Sequence, residues 1–502
     1  MILRAAAPCI ALALLVAVAP PVDAAENPPE VEAEDEDWGD EDDGWGDEDS
    51  GFDASVFDDS FSQVELTAPS PWSVTGFARS AWGLWMERLD DEPWAKGRQS
   101  LDLEATYKKD GWRAVMAGHA EYDLRYLHQR ERFDDATLEA YEWQVLGREM
   151  FVAYSWERVE ATVGRQIVAW GEGDALSPLD VVNPRDLREP GIADLEDIRL
   201  AVLASRLGYF VGDHRFELMV IHEAEFGLRS PPFGPYSPFP ELLASDPAAA
   251  ALLGDKTIRF EDEQDRFALE NQQVLGRWVY KGPGIDLGVL GGYVLDKQGV
   301  IGDLVDLSDP AALAAFIDAD EVALSLDHQH YGVLGTSGAR AWGSLLLKWE
   351  LGLEVGRPLN VQTEGVAGPE FGQIRTDLIQ TMAGLSWTPE PEVQVGLEVL
   401  KPFRTETVED LLFDIDAPTV ALRFSWRGLK ERLTVAGGLS VLGFQAEQGW
   451  LVGLDATYEA VQSLFVSLGY TTIHPGDDFG FLSGLDSHDQ LTVRLRYDFT
   501  LL

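Results

Sequence analysis

The stretch LDLEATYKKDGWRAVMAGHAEYD, residues 101–123, is where the fold can first be read. Leu101, Leu103, Ala105 and Tyr107 alternate with Asp102, Glu104, Thr106 and Lys108, the period of a strand with one apolar and one polar face. Asp110-Gly111 supplies a tight turn. Beyond it Trp112, Ala114, Met116 and Tyr122 oppose Arg113, His119, Glu121 and Asp123. The two halves predict a β-hairpin with strands of about ten residues, the length that crosses a bilayer.

Working outward, the same period fills the chain after Pro71. Leu345, Leu347, Trp349, Leu351, Leu353 and Val355 oppose Lys348, Glu350 and Glu354, while Val420, Leu422, Phe424 and Trp426 oppose Arg423, Ser425 and Arg427. Strands are expected near 72–86, 99–108, 111–124, 148–156, 159–170, 198–211, 214–226, 264–280, 284–296, 327–339, 344–358, 376–388, 392–402, 418–427, 432–443, 449–459, 462–472 and 489–499, about 18 in all. Tight turns such as Glu157-Arg158, Gly282-Pro283-Gly284 and Pro389-Glu390-Pro391 fall at every second junction. The intervening links are long, apart from a short one around Gln445–Gln448. A β-sandwich has no reason to sort its connections by parity; an up-and-down transmembrane barrel does, with turns on one side of the membrane and loops on the other. The expected fold is therefore all-β, an antiparallel transmembrane barrel with short helices in its outer loops.

The final strand places Leu491, Val493, Leu495, Tyr497 and Phe499 on one face and resembles the C-terminal signal read by the barrel-assembly machinery, although Thr500-Leu501-Leu502 replaces the usual terminal aromatic. Trp85, Tyr154, Trp278, Tyr293, Trp387, Tyr458 and Tyr470 fall towards strand ends, as interfacial girdles require. Outer-membrane lipid and lipopolysaccharide are the expected surroundings.

Residues 1–24 read as a secretory signal peptide, with Arg4, the apolar run Ile10 to Val18 and the small-residue site Val22-Asp23-Ala24. The single cysteine, Cys9, lies within it. Residues 25–70 form an acidic extension with 17 carboxylates and no Lys or Arg between Glu26 and Ser60. So much like charge with so little to bury predicts disorder, and the extension is expected in the periplasm. Residues 71–502 are the barrel. The formal net charge of −49 argues against nucleic acid as a partner.

The run from Val163 to Glu189 stands apart. Alternation breaks at Gly164-Arg165, as a bulge would do, and no regular strand is expected until about Ile198. A linker of that length needs a role. We read it as a loop that folds back after the fifth strand and narrows the lumen. Arg165, Gln166, Trp170, Glu172, Asp174, Asp180, Asn183, Arg185, Asp186 and Arg188 are its candidate constriction residues, both signs in a short space as in a pore eyelet. The alternative is that these charges pair with one another and seal the barrel. Glu104, Arg113, Glu121, Lys348, Glu350, Arg423, Arg494 and Arg496 are expected to face the lumen.

Within this run Gly164-Arg165-Gln166, Trp170-Gly171 and the sequence from Asp180 to Asp186 (DVVNPRD) resemble the bacterial outer-membrane barrel family catalogued as domain of unknown function 1302. The resemblance implies an outer-membrane barrel and points to hydrophobic compounds as solutes.

Two loop stretches, 245–254 and 308–317, each pair a capping Asp with Pro at the first helical position and then helix formers. Between strands also lies the stiff aromatic run Pro231 to Pro240 (PPFGPYSPFP). His328 and His330, expected on one strand face beside Asp327, are the only metal-like spacing, and a polar rim explains them as well. Neither Gly-x-Ser-x-Gly nor His-Glu-x-x-His occurs, so the chain reads as a non-enzyme without a cofactor. The expectation is an outer-membrane channel for small hydrophobic or amphipathic solutes in a Gram-negative envelope. Its rival is a plugged, non-transporting barrel that binds through its acidic tail and outer loops. Oligomeric state is not legible.

Overall fold

The computed structural model describes residues 70–502 except 192–197, 242–255, 263, 302–309, 366–367, 409–410, 412–414 and 479. The leader, the acidic extension and the first of the two expected loop helices lie outside the described residues. Eighteen antiparallel strands form one sheet: β1 (Trp72–Trp85), β2 (Trp94–Lys109), β3 (Trp112–Asp123), β4 (Trp143–Trp156), β5 (Val159–Gln166), β6 (Val202–Val211), β7 (His214–Ile221), β8 (Gln273–Gly282) and β9 (Ile285–Leu295). The ring continues through β10 (His330–Trp342), β11 (Leu345–Gly365), β12 (Gly368–Glu390), β13 (Val393–Arg404), β14 (Thr419–Gly428), β15 (Leu433–Leu442), β16 (Gly449–Val461), β17 (Leu464–His474) and β18 (Gln490–Thr500). Each strand pairs with its sequence neighbours, and β1 pairs with β18 from Thr75↔Thr500 to Trp85↔Gln490. The sheet closes on itself, which leaves no edge and satisfies the backbone without water.

The two faces are those the alternation predicts. Leu101, Leu103, Met116, Leu351, Leu397 and Leu422 are exposed, while Asp102, His119, Glu350, Glu398 and Arg423 on the same strands are buried. A closed barrel with an apolar outer band and polar groups within is a membrane-spanning fold. Tyr154, Tyr293, Trp387, Tyr458 and Tyr470 are exposed, as girdle residues should be, and Trp278 is half-buried. Trp85 is not a girdle residue: it is fully buried against Tyr236 and His488.

Turn parity also holds. In the β2–β3 turn Asp110 (φ 51°) and Gly111 (φ 79°) both adopt positive φ, the backbone of a two-residue hairpin. Differences arise where polar sequence was read as loop. β11 and β12 continue pairing from Arg357↔Thr376 to Gly365↔Gly368, beyond a break in register after Glu354 where Gly356 takes φ 68°. Residues 359–365 and 368–375, expected within a loop, thus pair as an extension of the hairpin, because a bulge lets a ladder change direction without ending. The β3–β4 link holds two short helices, Leu124–His128 and Asp135–Tyr141, capped by the carboxylates of Asp123 and Asp134. A helix does occupy Pro310–Asp318.

Gly164 is no bulge. Its pairing with Phe151 is in register, but its φ is 138° and an added Cβ would meet the Met150 carbonyl oxygen at 2.2 Å. The glycine allows β4 and β5 to approach closely where β5 ends two residues later.

Candidate functional site

The connection from Ile167 to Ala201 departs from β5, and its base is stapled by one side chain. Asn183 accepts from the Val168 amide (2.7 Å) and donates to the carbonyls of Gln166 (3.1 Å) and Leu200 (2.8 Å). Gln166, itself buried, donates to the Ala204 carbonyl. Buried polar atoms must be satisfied individually, so these two amides fix where the segment starts and returns.

Its tip is held by two carboxylates from distant strands. Glu350 on β11 accepts from the amides of Glu172 (2.6 Å), Gly173 (2.8 Å) and Leu179 (3.0 Å), and from the Ser177 hydroxyl (3.0 Å). Glu398 on β13 accepts from the amides of Asp174 (2.8 Å), Ala175 (2.9 Å) and Leu176 (2.8 Å). Both carboxylates lie on the face opposite the exposed apolar band. Asp174 completes the contact with Lys348 (2.5 Å) and Arg423 (2.6 Å). Charge-assisted bonds of this kind are stronger than neutral ones. Gly173 permits the tight path, since an added Cβ would meet the Leu176 carbonyl oxygen at 2.3 Å.

Apolar side chains of the segment pack on the same face. Val168, Trp170, Leu179 and Val182 join Val202, Met219, Ile221, Leu275, Leu290 and Val333 from β6 to β10. Ala175 and Leu176 join Met382, Leu400 and Ala421 from β12 to β14. The segment thus lies against β6–β14.

Its returning arm meets the remaining wall. Glu189 is bound by Lys96 (2.7 Å) and by Arg98 of β2. Burial alone would raise the Glu189 carboxyl; Arg98 and Lys96 hold it well below the usual carboxylate range. Arg188 pairs with Asp186 (2.5 Å) and donates to Gln144 (2.8 Å). Asp180, buried, pairs with Arg185 (2.6 Å) and Arg199 (3.3 Å), and these two cations lower it against the opposing effect of burial. Arg165 bridges Glu223 (3.0 Å) and Glu225 (3.3 Å).

A cavity of about 160 Å³ lies between this arm and the wall of β1–β5 and β15–β18. Its charged lining comprises Arg79, Lys96, Arg98, Arg148, Arg165, Arg188, Arg199 and Arg494 with Glu121, Asp186, Glu189, Glu225 and Asp455. A second cavity, about 170 Å³, lies on the other side of the segment and carries Asp180, Asp296 and Glu354 with Arg185, Lys297 and Arg357.

Of the residues singled out in the sequence, Glu172, Asp174, Asp180, Arg185, Asp186 and Arg188 come together in these ion pairs and amide contacts. Gln166, Trp170 and Asn183 are buried, Trp170 beneath the Arg277 guanidinium at 5.3 Å. Lys348, Glu350 and Arg423 contact the segment tip, and Glu121 approaches Arg98 at 3.5 Å. Arg494 and Arg496 pair with Asp455 (2.5 Å) and Asp498 (2.7 Å), Glu104 accepts from Thr106, and Arg113 stacks over Phe151. Sequence reading missed Glu398, Glu189 and Glu223. Glu398 had a usable signal, being a lone carboxylate between the outward Leu397 and Val399.

His328 and His330 do not share a site. Residues 328 and 329 interrupt the strand; His328 stacks on Phe226 and bonds Asp262, whereas His330 stacks on Tyr293. Among the described residues no group of three or more His, Cys, Asp or Glu could hold a metal.

The long-loop side is covered by an aromatic cluster. Tyr236, from the Pro-rich run, packs with Trp85 (ring centroids 5.7 Å apart), Tyr141 and His488. Phe239 is buried too, so this run presents its aromatics downward. The His488 Nε2–H donates to the Pro235 carbonyl while Arg88 donates to Nδ1. Burial and the Arg88 guanidinium push the imidazole down to about 4.

No curated protein matches this sequence. Among solved structures, Acinetobacter baumannii OccAB3 is similar at 9% identity and TM-score 0.46, covering 86% of this chain and 99% of that one. Pseudomonas aeruginosa OccK11 (OpdR) aligns at 11% identity and TM-score 0.44, over 88% and 100%. Pseudomonas aeruginosa OpdK, solved with vanillate, aligns at 11% and 0.45, over 86% and 99%. Residues 90–277, from just before β2 into β8, match the family described as Protein of unknown function (DUF1302), the family that the Gly164–Asp186 run resembles.

Proposed function

We propose that the chain is an outer-membrane channel for small solutes, with residues 167–191 after β5 folded into the lumen as its narrowing element. The capture of the segment's amides by Glu350 and Glu398, on strands far around the ring from β5, is the observation that carries this reading. A barrel of 18 strands has room for an aqueous interior unless something occupies it. The segment takes up the β6–β14 side and leaves the 160 Å³ cavity along the rest. Leu146 and Leu200 interleave with charge there, which favours amphipathic over purely polar solutes. The location is the outer membrane of a Gram-negative cell, reached with a leader at residues 1–24.

The density of ion pairs supports a second reading, a barrel plugged at rest. Planar-bilayer recording separates the two. Steady openings of the intact protein that grow several-fold when Asp174–Glu189 is replaced by a short Gly/Ser link fit a narrowed pore. Silence followed by large openings after the replacement fits a plug. A folded replacement variant that conducts no better than the intact protein would refute the assigned role of the segment.

A further inference from the structure

The wall of the barrel is uneven beside β4. Exposed aromatics mark both ends of that strand, Trp143 on the long-loop side and Trp156 at the tight turn, and Val145 is exposed as well. Tyr122, the partner of Trp143 on β3, is also exposed, so the apolar band reaches the last residues of β4. β3 accompanies β4 over nearly all of this length, from Trp112↔Tyr154 to Tyr122↔Trp143. On the other side β5 pairs with it only from Trp156↔Val159 to Met150↔Arg165. β5 has 8 residues, fewer than the about 9–11 that a tilted strand needs to cross a bilayer.

The ladder stops because the chain turns inward. Asn183 takes the Gln166 carbonyl and the Val168 amide, and Glu149 accepts from the Ile167 amide (3.1 Å). Among the described residues, the backbone of residues 143–147 bonds no second strand. An open edge at membrane depth is avoided unless it lines a cavity, and here one does. The 160 Å³ cavity is lined by Gln144, Leu146 and Gly147 on this flank and by Leu200 and Ala201, which lead into β6, on the other. With one strand missing between them, the flanks stand two strand spacings apart, about 9–10 Å. β7 also has 8 residues, but its neighbours end within two residues of it, at Ala204↔Ile221 and Ile221↔Gln273.

We propose that the gap between β4 and β6 is a lateral portal, through which an amphipathic solute passes between the lumen cavity and the outer leaflet. Leu146 and Leu200 give each flank an apolar lip, so the apolar part of the solute moves between cavity and lipid without crossing bulk water. The proposal rests on the channel reading and names a route for its solutes.

The test asks whether lipid reaches the cavity. A bimane label on Leu146→Cys is read in bilayers containing a nitroxide-labelled phospholipid. Val145→Cys, on the outer face, is the exposed reference. Thr471→Cys is the shielded one, since it lines the same cavity from β17, which is paired on both sides. Quenching at position 146 is expected within about two-fold of that at 145 and several-fold above that at 471. Gln144→Cys carries the label on the same flank should Leu146→Cys fail to fold. In Gram-negative cells expressing the protein, uptake of N-phenyl-1-naphthylamine should slow several-fold with Gly147→Trp, whose Cβ meets only the flexible end of Met150. A label at 146 as shielded as the one at 471, or dye uptake that ignores Gly147→Trp, overturns the portal. Planar-bilayer conductance of the intact protein keeps the readings apart: a conducting pore with a shielded label loses the portal alone, and silence from folded barrels overturns the channel.

Discussion

Two loops pack within one barrel, and they are held by opposite means. The segment after β5 is fixed by carboxylates on backbone amides and by ion pairs, Glu350, Glu398 and Asp174 foremost. The Pro231–Pro240 run is fixed by rings, Tyr236 among Trp85, Tyr141 and a neutral His488. The first lies where neighbours are charged, and its position depends on a few specific bonds. The second is apolar, and its weak point is the one ring that can acquire a proton. Each loop is thus controlled by the kind of group that anchors it.

The sharpest way to break the contrast is Glu350→Ala with Glu398→Ala. Loss of both acceptors leaves six buried or half-buried amides without their partners, at about 1–3 kcal/mol for each left unsatisfied. The tip should detach and single-channel conductance should rise several-fold, with no change around Trp85. Next, Gly164→Val places a Cβ against backbone at φ 138°. A cost of about 3 kcal/mol is expected, seen as a lower denaturant midpoint for the refolded barrel.

Acidification should act on the other loop. The folded His488 binds its proton only near pH 4, while an exposed imidazole does so near its ordinary 6.5. Between those values the opened mouth holds more protons than the closed one, so closure is most favoured above 6.5 and is lost as pH falls through the window. Proteolysis within residues 231–241 should quicken from pH 6.5 to 4, and His488→Phe should flatten that dependence. The smallest effect is expected from Arg185→Lys, because lysine keeps the charge and Arg199 also pairs with Asp180; a loss of stability of about 1 kcal/mol, the scale of one hydrogen bond, would agree.

The wall was legible from sequence because a period of two and the parity of turns are local. Leu101 against Asp102, or Asp110-Gly111 between two strands, needs no partner to be read. The site was legible only in part. Glu350 reads as an inward carboxylate, but its role depends on amides more than 170 positions away in the chain, at Glu172 and Leu179. Trp85 looks like a girdle aromatic from its place in β1; that a loop from the far side of the ring covers it is not written in its neighbours. Asn183 and Gln166 invite a pore role by their polarity, whereas burial gives them to the backbone.

The position of the segment can be measured directly. With Cys9 the only native cysteine and inside the expected leader, a pair at Asp174→Cys and Lys348→Cys can be spin-labelled without interference. These side chains touch at 2.5 Å in the intact protein, and the Glu350 and Glu398 contacts remain in the labelled one. The account predicts strong dipolar broadening in the refolded barrel, abolished when Glu350 and Glu398 are both alanine. Narrow, independent spectra from the two labels in an otherwise intact barrel would contradict it.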